Sequence, residues 1–144
     1  MSVLPPAPAG PPAWLLVALG GALGACARFG LGGWVAQAAT ARGWPQVLGL
    51  PLGTWVINVA GCLAIGLIAA LAGGRPAWVP PEGRLLLAVG FCGAFTTFST
   101  FGLEAVTLFG QGRWLQAALY VLASNAGGLA AVAVGLALGR AAAG

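Results

Sequence analysis

The chain has 144 residues, 60% of them hydrophobic and only 6% charged, against roughly 25% charged in a soluble domain, so its solvent must be lipid. Six arginines, two glutamates and no lysine, aspartate or histidine cannot supply a Ser-His, Cys-His or Ser-Lys nucleophilic pair, and three scattered cysteines add no catalytic metal site. An enzyme is therefore not expected, and without a basic block neither is a nucleic-acid-binding protein.

Crossing a hydrocarbon core of about 30 Å takes roughly 20 apolar residues in a helix, which bounds the chain at about four spans with short connections. Residues 1–13 open with MSVLPPAPAGPP. This run is Pro-rich, too polar to span and without the positive n-region of a signal peptide, so it reads as a disordered tail. Residues 14–140 form the transmembrane domain. The first span covers about 14–39, followed by a loop with Arg42, Gly43 and Pro45, and the second covers about 52–72. The turn GGRPAWVPPEGR carries three prolines, Glu82 and two arginines, so it cannot stay in hydrocarbon. The third span covers about 85–109, GQGR makes a tight connection, and the fourth runs over about 114–139, stopped by Arg140. Trp14, Trp44, Trp78 and Trp114 fall at or near span ends, where indole rings anchor at the membrane interface.

Four spans put both termini on one side, with Arg75, Arg84 and Arg140 there and Arg42 and Arg113 opposite. Orientation follows a difference in flanking Lys and Arg. Three against two is hardly a difference, which points to insertion both ways and an antiparallel homodimer. In the fourth span Ala123, Gly127, Ala131, Gly135 and Gly139 recur every four residues; in the second, Ala60 and Ala64 do so beside Gly53 and Gly61. Small residues at this spacing let helices approach closely in lipid. Cys26, Cys62 and Cys92 lie on three segments without CxxC spacing and read as small buried hydrophobes.

The residues that need explaining are the polar ones in hydrocarbon: Arg28, Asn58, the stretch 93–101, Glu104 and the pair Tyr120/Ser124. Such groups face the protein interior or a water-filled path. Residues 90–104 read GFCGAFTTFSTFGLE, where a lipid-facing helix would use Leu, Ile and Val. Gly90 and Gly93 permit non-helical dihedrals, and Thr96, Thr97, Ser99 and Thr100 can bond the backbone locally. The pattern fits a third helix broken near mid-membrane, its freed groups satisfied by neighbouring protein. It equally fits a continuous helix whose hydroxyls bond back to preceding carbonyls.

On a resumed helix Phe98 and Phe101 share a face. Asn58 brings amide donors, and Tyr120 and Ser124, at i and i+4, bring a row of hydroxyls. Aromatic edges are positive, so this lining, with no acid beside it, suits a small anion. Taken one by one, ordinary helix–helix hydrogen bonds of about 0.6 kcal/mol explain each residue as well. Arg28 and Glu104 lie in the later part of spans running the same way, which puts a tertiary ion pair within reach.

Four stretches, one per span and in order, resemble the small bacterial Fluc (CrcB) fluoride channels: GGALGACARF, GTWVINVAG, GFCGAFTTFSTFGLE and YVLASNAGG. The third is highly specific, the others are supportive, and the resemblance covers essentially everything after residue 13. It implies an all-α integral membrane fold with four transmembrane helices, the third broken, in an antiparallel dual-topology homodimer with two pores lined by both subunits. It further implies a multi-pass channel of the cell inner membrane that exports cytoplasmic fluoride passively and so reduces its toxicity. Under it, Phe98 and Phe101 match the aromatic pair on the fluoride path, and Asn58 the second-span asparagine at the pore. Tyr120 and Ser124 match the polar track of the fourth span, and Thr100 joins the pore hydroxyls. Arg28 matches the vestibule arginine, and Glu104 the acid after the aromatic pair. Gly93 and Thr96 match positions whose backbone carbonyls, from both subunits, hold one Na⁺ at the dimer centre. Gly128 replaces a hydroxyl that many members carry beyond Ser124, and Ala94 a frequent glycine, which shortens the polar track and restricts the break.

Two other readings compete. A small dual-topology exporter of organic cations has similar size and span count, but it needs an acid near the first-span midplane, where this chain has Arg28. A structural membrane protein would explain the small-residue stripes, but not why the polar groups of different spans form a set.

Overall fold

Inside a bilayer every backbone group must be paired within the protein, and an apolar run long enough to cross therefore folds as a helix. The computed structural model describes residues 11–44, 49–74 and 77–144. Residues 1–10 of the proline-rich tail, Pro45 and Arg75 lie outside them. The elements are α1 (Pro11–Ala41), α2 (Leu52–Gly73), α3 (Pro81–Arg84), a π-helical stretch (Leu85–Cys92), α4 (Gly93–Phe95), α5 (Phe98–Gly110) and α6 (Trp114–Ala143). Four segments among the described residues are long and apolar enough to cross a membrane: Ala13–Ala41, Leu52–Gly73, Pro81–Gly110 and Trp114–Ala143. The protein is an all-helical, multi-pass membrane protein.

The helices run past the bounds read from hydrophobicity, and the reasons are local. Residues 11–13, read with the tail, open α1; proline is tolerated in a first turn, where an N–H would have no partner. The third span starts at Pro81, preceded by Pro80 in extended conformation at the N-cap. Between α5 and α6 the chain reverses in three residues, with Gly112 at φ 73° and Arg113 N–H donating to Leu108 O at 3.0 Å. A left-handed residue at this point is what glycine supplies cheaply.

The spans pack as two pairs, α2 with α6 and α1 with the Leu85–Phe95 part of the third span. Glycines set both contacts. A Cβ on Gly66 would strike Val132 O of α6, and one on Gly135 would strike Leu63 O of α2. On the other pair, Cβ atoms on Gly20 and Gly24 would strike the Leu86 and Phe91 carbonyls. Backbone contact of this kind is how helices gain packing energy in lipid, where no hydrophobic effect drives them together. Gly90, read as a residue of the break, is helical and does the same: its Cβ position lies 2.7 Å from Val17 O. A buried cluster of Ala105, Leu108, Ala117 and Tyr120 joins α5 to α6, with Phe101 and Trp55 against it.

Gly66→Ala and Gly135→Ala should each lower stability, because the added methyl meets backbone that cannot turn aside; overpacking of this type costs about 1–3 kcal/mol. Gly33→Ala, whose Cβ would meet nothing within 4 Å, serves as the control. Thermal unfolding of the detergent-solubilised protein checks this, and equal midpoints for all three variants would mean α2 and α6 are not in backbone contact there.

Candidate functional site

Between α4 and α5 two residues are extended, Thr96 at φ −81°, ψ 158° and Thr97 at φ −147°, ψ 106°. Both φ values are negative and lie in the region that β-branched residues favour, so no glycine is required. Gly93, expected to supply the freedom, is helical at φ −62°, ψ −37°. Gly90 serves packing, Gly93 has open space where a Cβ would stand, and the threonines carry the departure from helix.

The peptide groups released there are taken up by side chains. Thr97 N–H donates to Asn58 Oδ1 at 2.8 Å, and Asn58 Nδ2 donates to Thr97 O at 3.2 Å. One amide of α2 thus replaces both a donor and an acceptor of the helical ladder. Thr97 Oγ1 caps α5, accepting from Thr100 N–H at 3.3 Å and donating to Thr100 Oγ1 at 2.9 Å. Thr96 Oγ1 donates to Cys92 O at 2.9 Å. Thr100 is therefore part of a cap rather than of the cavity wall beside it.

That cavity, of about 370 Å³, has a mostly apolar lining that includes Ile65, Ala88, Cys62, Cys92, Phe98 and Phe101, and among its polar members are Asn58, Thr96, Ser124 and Asn125. No charged residue lines it. The Phe98 and Phe101 ring centroids are 5.6 Å apart, and Phe98 is 84% exposed. Ser124 Oγ is buried and has no hydrogen-bond partner. Asn58 has one amide N–H left after the Thr97 bond, since its NH₂ carries two.

Tyr120 and Glu104 belong to a different cluster. Tyr120 is 1% exposed, its hydroxyl donates to Glu104 Oε2 at 2.7 Å, and Thr54 Oγ1 donates to Glu104 Oε1 at 2.9 Å. The row of hydroxyls expected on α6 is thus divided: Ser124 faces the cavity, and Tyr120 holds the acid. Phe101 stands between the two groups, 5.3 Å from the Tyr120 ring centroid. The ion pair expected between Arg28 and Glu104 is not formed. α1 packs chiefly against the Leu85–Phe95 part of the third span. Although its later residues Gly32 and Ala36 line one cavity with Glu104, the acid is taken by Thr54 and Tyr120, and Arg28 Nε is buried without a hydrogen-bond partner.

Two further cavities lie along α2. One, of about 600 Å³, shares Ile65 and Ala88 with it and reaches Arg84 and Arg140 at one end of the bundle. The other, of about 320 Å³, lies at the opposite end and includes Thr54, Ile57 and Glu104. Successive stretches of α2, from Leu52 to Gly74, therefore face one cavity after another.

Four apolar spans that pack through backbone contact, with an uncharged cavity between α2, the third span and α6 that carries an amide, a hydroxyl and an aromatic pair, define a helical membrane protein. The comparison with known proteins agrees. The family model described as "CrcB-like protein, Camphor Resistance (CrcB)" matches residues 15–136, and the chain belongs to this family. Proteins named "Fluoride-specific ion channel FluC" are similar to it. That of Chloroflexus aurantiacus is 46% identical over 126 residues, covering 88% of this chain and 94% of the relative. The protein of Nitratidesulfovibrio vulgaris is 44% identical, covering 88% and 95%. That of Trichormus variabilis is 41% identical, covering 88% and 87%.

Sequence reasoning missed Thr54 as the acid's partner, although Thr54 and Asn58 are one turn apart and so share a face of α2. It also missed Thr97 as the residue Asn58 holds; nothing local marks that contact, which spans 39 positions. Asn58→Leu should destabilise the protein, because it leaves the Thr97 N–H and C=O without their partner at about 1–3 kcal/mol each. Asn58→Asp should fall between, keeping the acceptor and losing the donor. Thermal midpoints together with amide exchange at Thr97 test this, and a protected Thr97 in Asn58→Leu would remove the bond pair from its assigned role.

Proposed function

We propose that the protein is a fluoride channel, exporting cytoplasmic fluoride passively across the inner membrane. The observation that carries this reading is the uncharged cavity in which Ser124 Oγ, buried without a partner, lies with the Asn58 amide and the Phe98/Phe101 pair. Fluoride is small and strongly hydrated, so a pore must replace its water with donors and still let it leave. Neutral hydroxyl and amide groups and positive ring edges meet both needs, whereas a buried arginine would hold the ion. The relatives named fluoride-specific ion channels support the same assignment. In this reading Thr96–Thr97 is a break at membrane depth, tolerated because Asn58 satisfies it.

The functional unit is an antiparallel homodimer inserted in both orientations. Gly93, Phe98 and Asn125 line the same cavity and are exposed on the single chain, and polar groups facing lipid at that level are costly. A second copy covering this cavity removes the cost and brings a second aromatic pair to the path. Gly93 and Thr96 fit a cation site. The N–H groups that would close helical bonds to their carbonyls, those of Thr97 and Thr100, are held instead by Asn58 Oδ1 and Thr97 Oγ1. Backbone oxygens freed in this way suit a hard cation such as Na⁺, which would tie the subunits together. The cation-exporter reading has no such support, since the acids of the spans do not face the central cavity.

The test is fluoride efflux from liposomes carrying the purified protein, with chloride and a cationic dye as controls. Wild type should release fluoride alone. Phe98→Ile and Phe101→Ile should each abolish release while the protein remains dimeric, because the ring edges vanish and volume is largely kept. Vesicles with well-folded wild-type protein that retain fluoride would refute the channel, and normal flux in both variants would refute the aromatic path.

A further inference from the structure

The central cavity carries two thiols for which the proposed path has no use, Cys62 of α2 and Cys92 of the π-helical stretch, and both are free. They stand nearly level. From the Asn58–Thr97 bond pair, α2 advances one turn to Cys62, about 6 Å. On the facing chain one extended residue and about one turn lead back from Thr97 to Cys92, about 9 Å. The two segments touch between these points, where a Cβ on Gly61 would strike Thr96 Cγ2. The Cys62 sulfur points toward α6, 3.3 Å from the Cβ position of Gly128, into the side of the cavity where Ser124 lies.

We infer that Cys62 and Cys92 form a binding site for a soft, two-coordinate metal ion of the Hg(II), Ag(I) or Cu(I) type, and that its occupation closes the path. Thiolate sulfur selects soft metals, and these ions accept two opposed sulfurs as a complete coordination shell, so no third protein ligand is needed. The oxygen donors of the cavity offer such ions little, and hard cations gain nothing from the sulfurs. Entry is open along the cavity that reaches Arg84 and Arg140, which shares Ile65 and Ala88 with this one. Binding of mercuric chloride is a ligand exchange. Two Hg–S bonds replace two Hg–Cl bonds, both thiol protons leave with chloride, and nothing is oxidised. That the metal stops fluoride rests on the channel reading; that it binds does not.

The experiment uses full-length protein carrying Cys26→Ser, titrated with mercuric chloride, with the mass of the denatured subunit and fluoride efflux as separate readouts. The expected adduct has one mercury replacing two protons, without chloride, and both thiols disappear together. Efflux falls to that of protein-free vesicles and stays there after free mercury is removed. Cys62→Ser and Cys92→Ser each give an adduct of one mercury that retains its chloride. Two mercuries per subunit, each with its chloride, would overturn the site, and undiminished efflux from a bridged adduct would overturn the closure. A bridged adduct in protein that passes no fluoride would uphold the site and overturn the channel reading instead.

Discussion

The pair of hydrogen bonds between the Asn58 amide and the Thr97 peptide is the constraint on which the rest of the site is built. An unpaired peptide group in hydrocarbon costs several kcal/mol. Two extended residues within an apolar segment therefore persist only if another group accepts the N–H and donates to the C=O that the helix gives up. A carboxamide does both at once, and Asn58 is placed to do so. Because Asn58 belongs to α2, the same bonds fix where α2 crosses the third span. Phe98 follows the held peptide directly, and Ser124 arrives on α6, which packs along α2. The cavity is the consequence of one side chain holding one peptide.

Charge is kept out of that cavity by a second set of contacts. Glu104 lies one turn beyond Phe101, close enough in sequence to have faced an anion route. Thr54 from α2 and Tyr120 from α6 bind its two oxygens, and Tyr120 also packs on Phe101. The carboxylate is thereby held on the far side of the aromatic pair, at the cavity nearer the opposite end. Hydroxyl donors suit this position because they satisfy the acid without bringing a buried cation, whose desolvation is expensive.

Much of this was legible in the sequence, and the residues that were not share a cause. Span number and the small-residue face of α6 follow from hydrophobic length and spacing, which are local properties. On α2 the close contact with α6 falls at Gly66, which the spacing did not mark, while Gly53 and Gly61 meet α1 and the third span. That Asn58, Phe98, Phe101 and Ser124 form a set was read from their chemistry in an apolar setting and from the family resemblance. Gly90 was misjudged because glycine serves two ends, free dihedrals and close approach, and sequence does not say which; Gly93 is helical with open space at its Cβ position. Close approach accounts for Gly90 here, while the extended dihedrals fall to threonines that need no special freedom. The split between Tyr120 and Ser124 was hidden for a similar reason. One turn of helix puts them on one face, but the acid that claims Tyr120 comes from another span, and so does the thiol beside Gly128. Arg28 shows the limit from the other side: a pairing with Glu104 was within reach of the sequence pattern, yet both oxygens of the acid are taken by Thr54 and Tyr120 from other spans.

The unpartnered hydroxyl of Ser124 suggests why the proposed lining is built from weak donors. A buried polar group left unpaired costs about 1–3 kcal/mol, and folded proteins seldom keep one without use. An ion passing through the cavity recovers that amount at Ser124 and comparable small amounts from the Asn58 N–H and the ring edges. No single contact is strong enough to retain it. An arginine in the same place would gain more from a desolvated anion and release it slowly, since conduction needs binding that permits exit. Distributing the replacement of a hydration shell over several neutral groups on three spans keeps each step shallow, and it gives a reason for Asn58, Ser124 and the aromatic pair, scattered in sequence, to meet in one cavity.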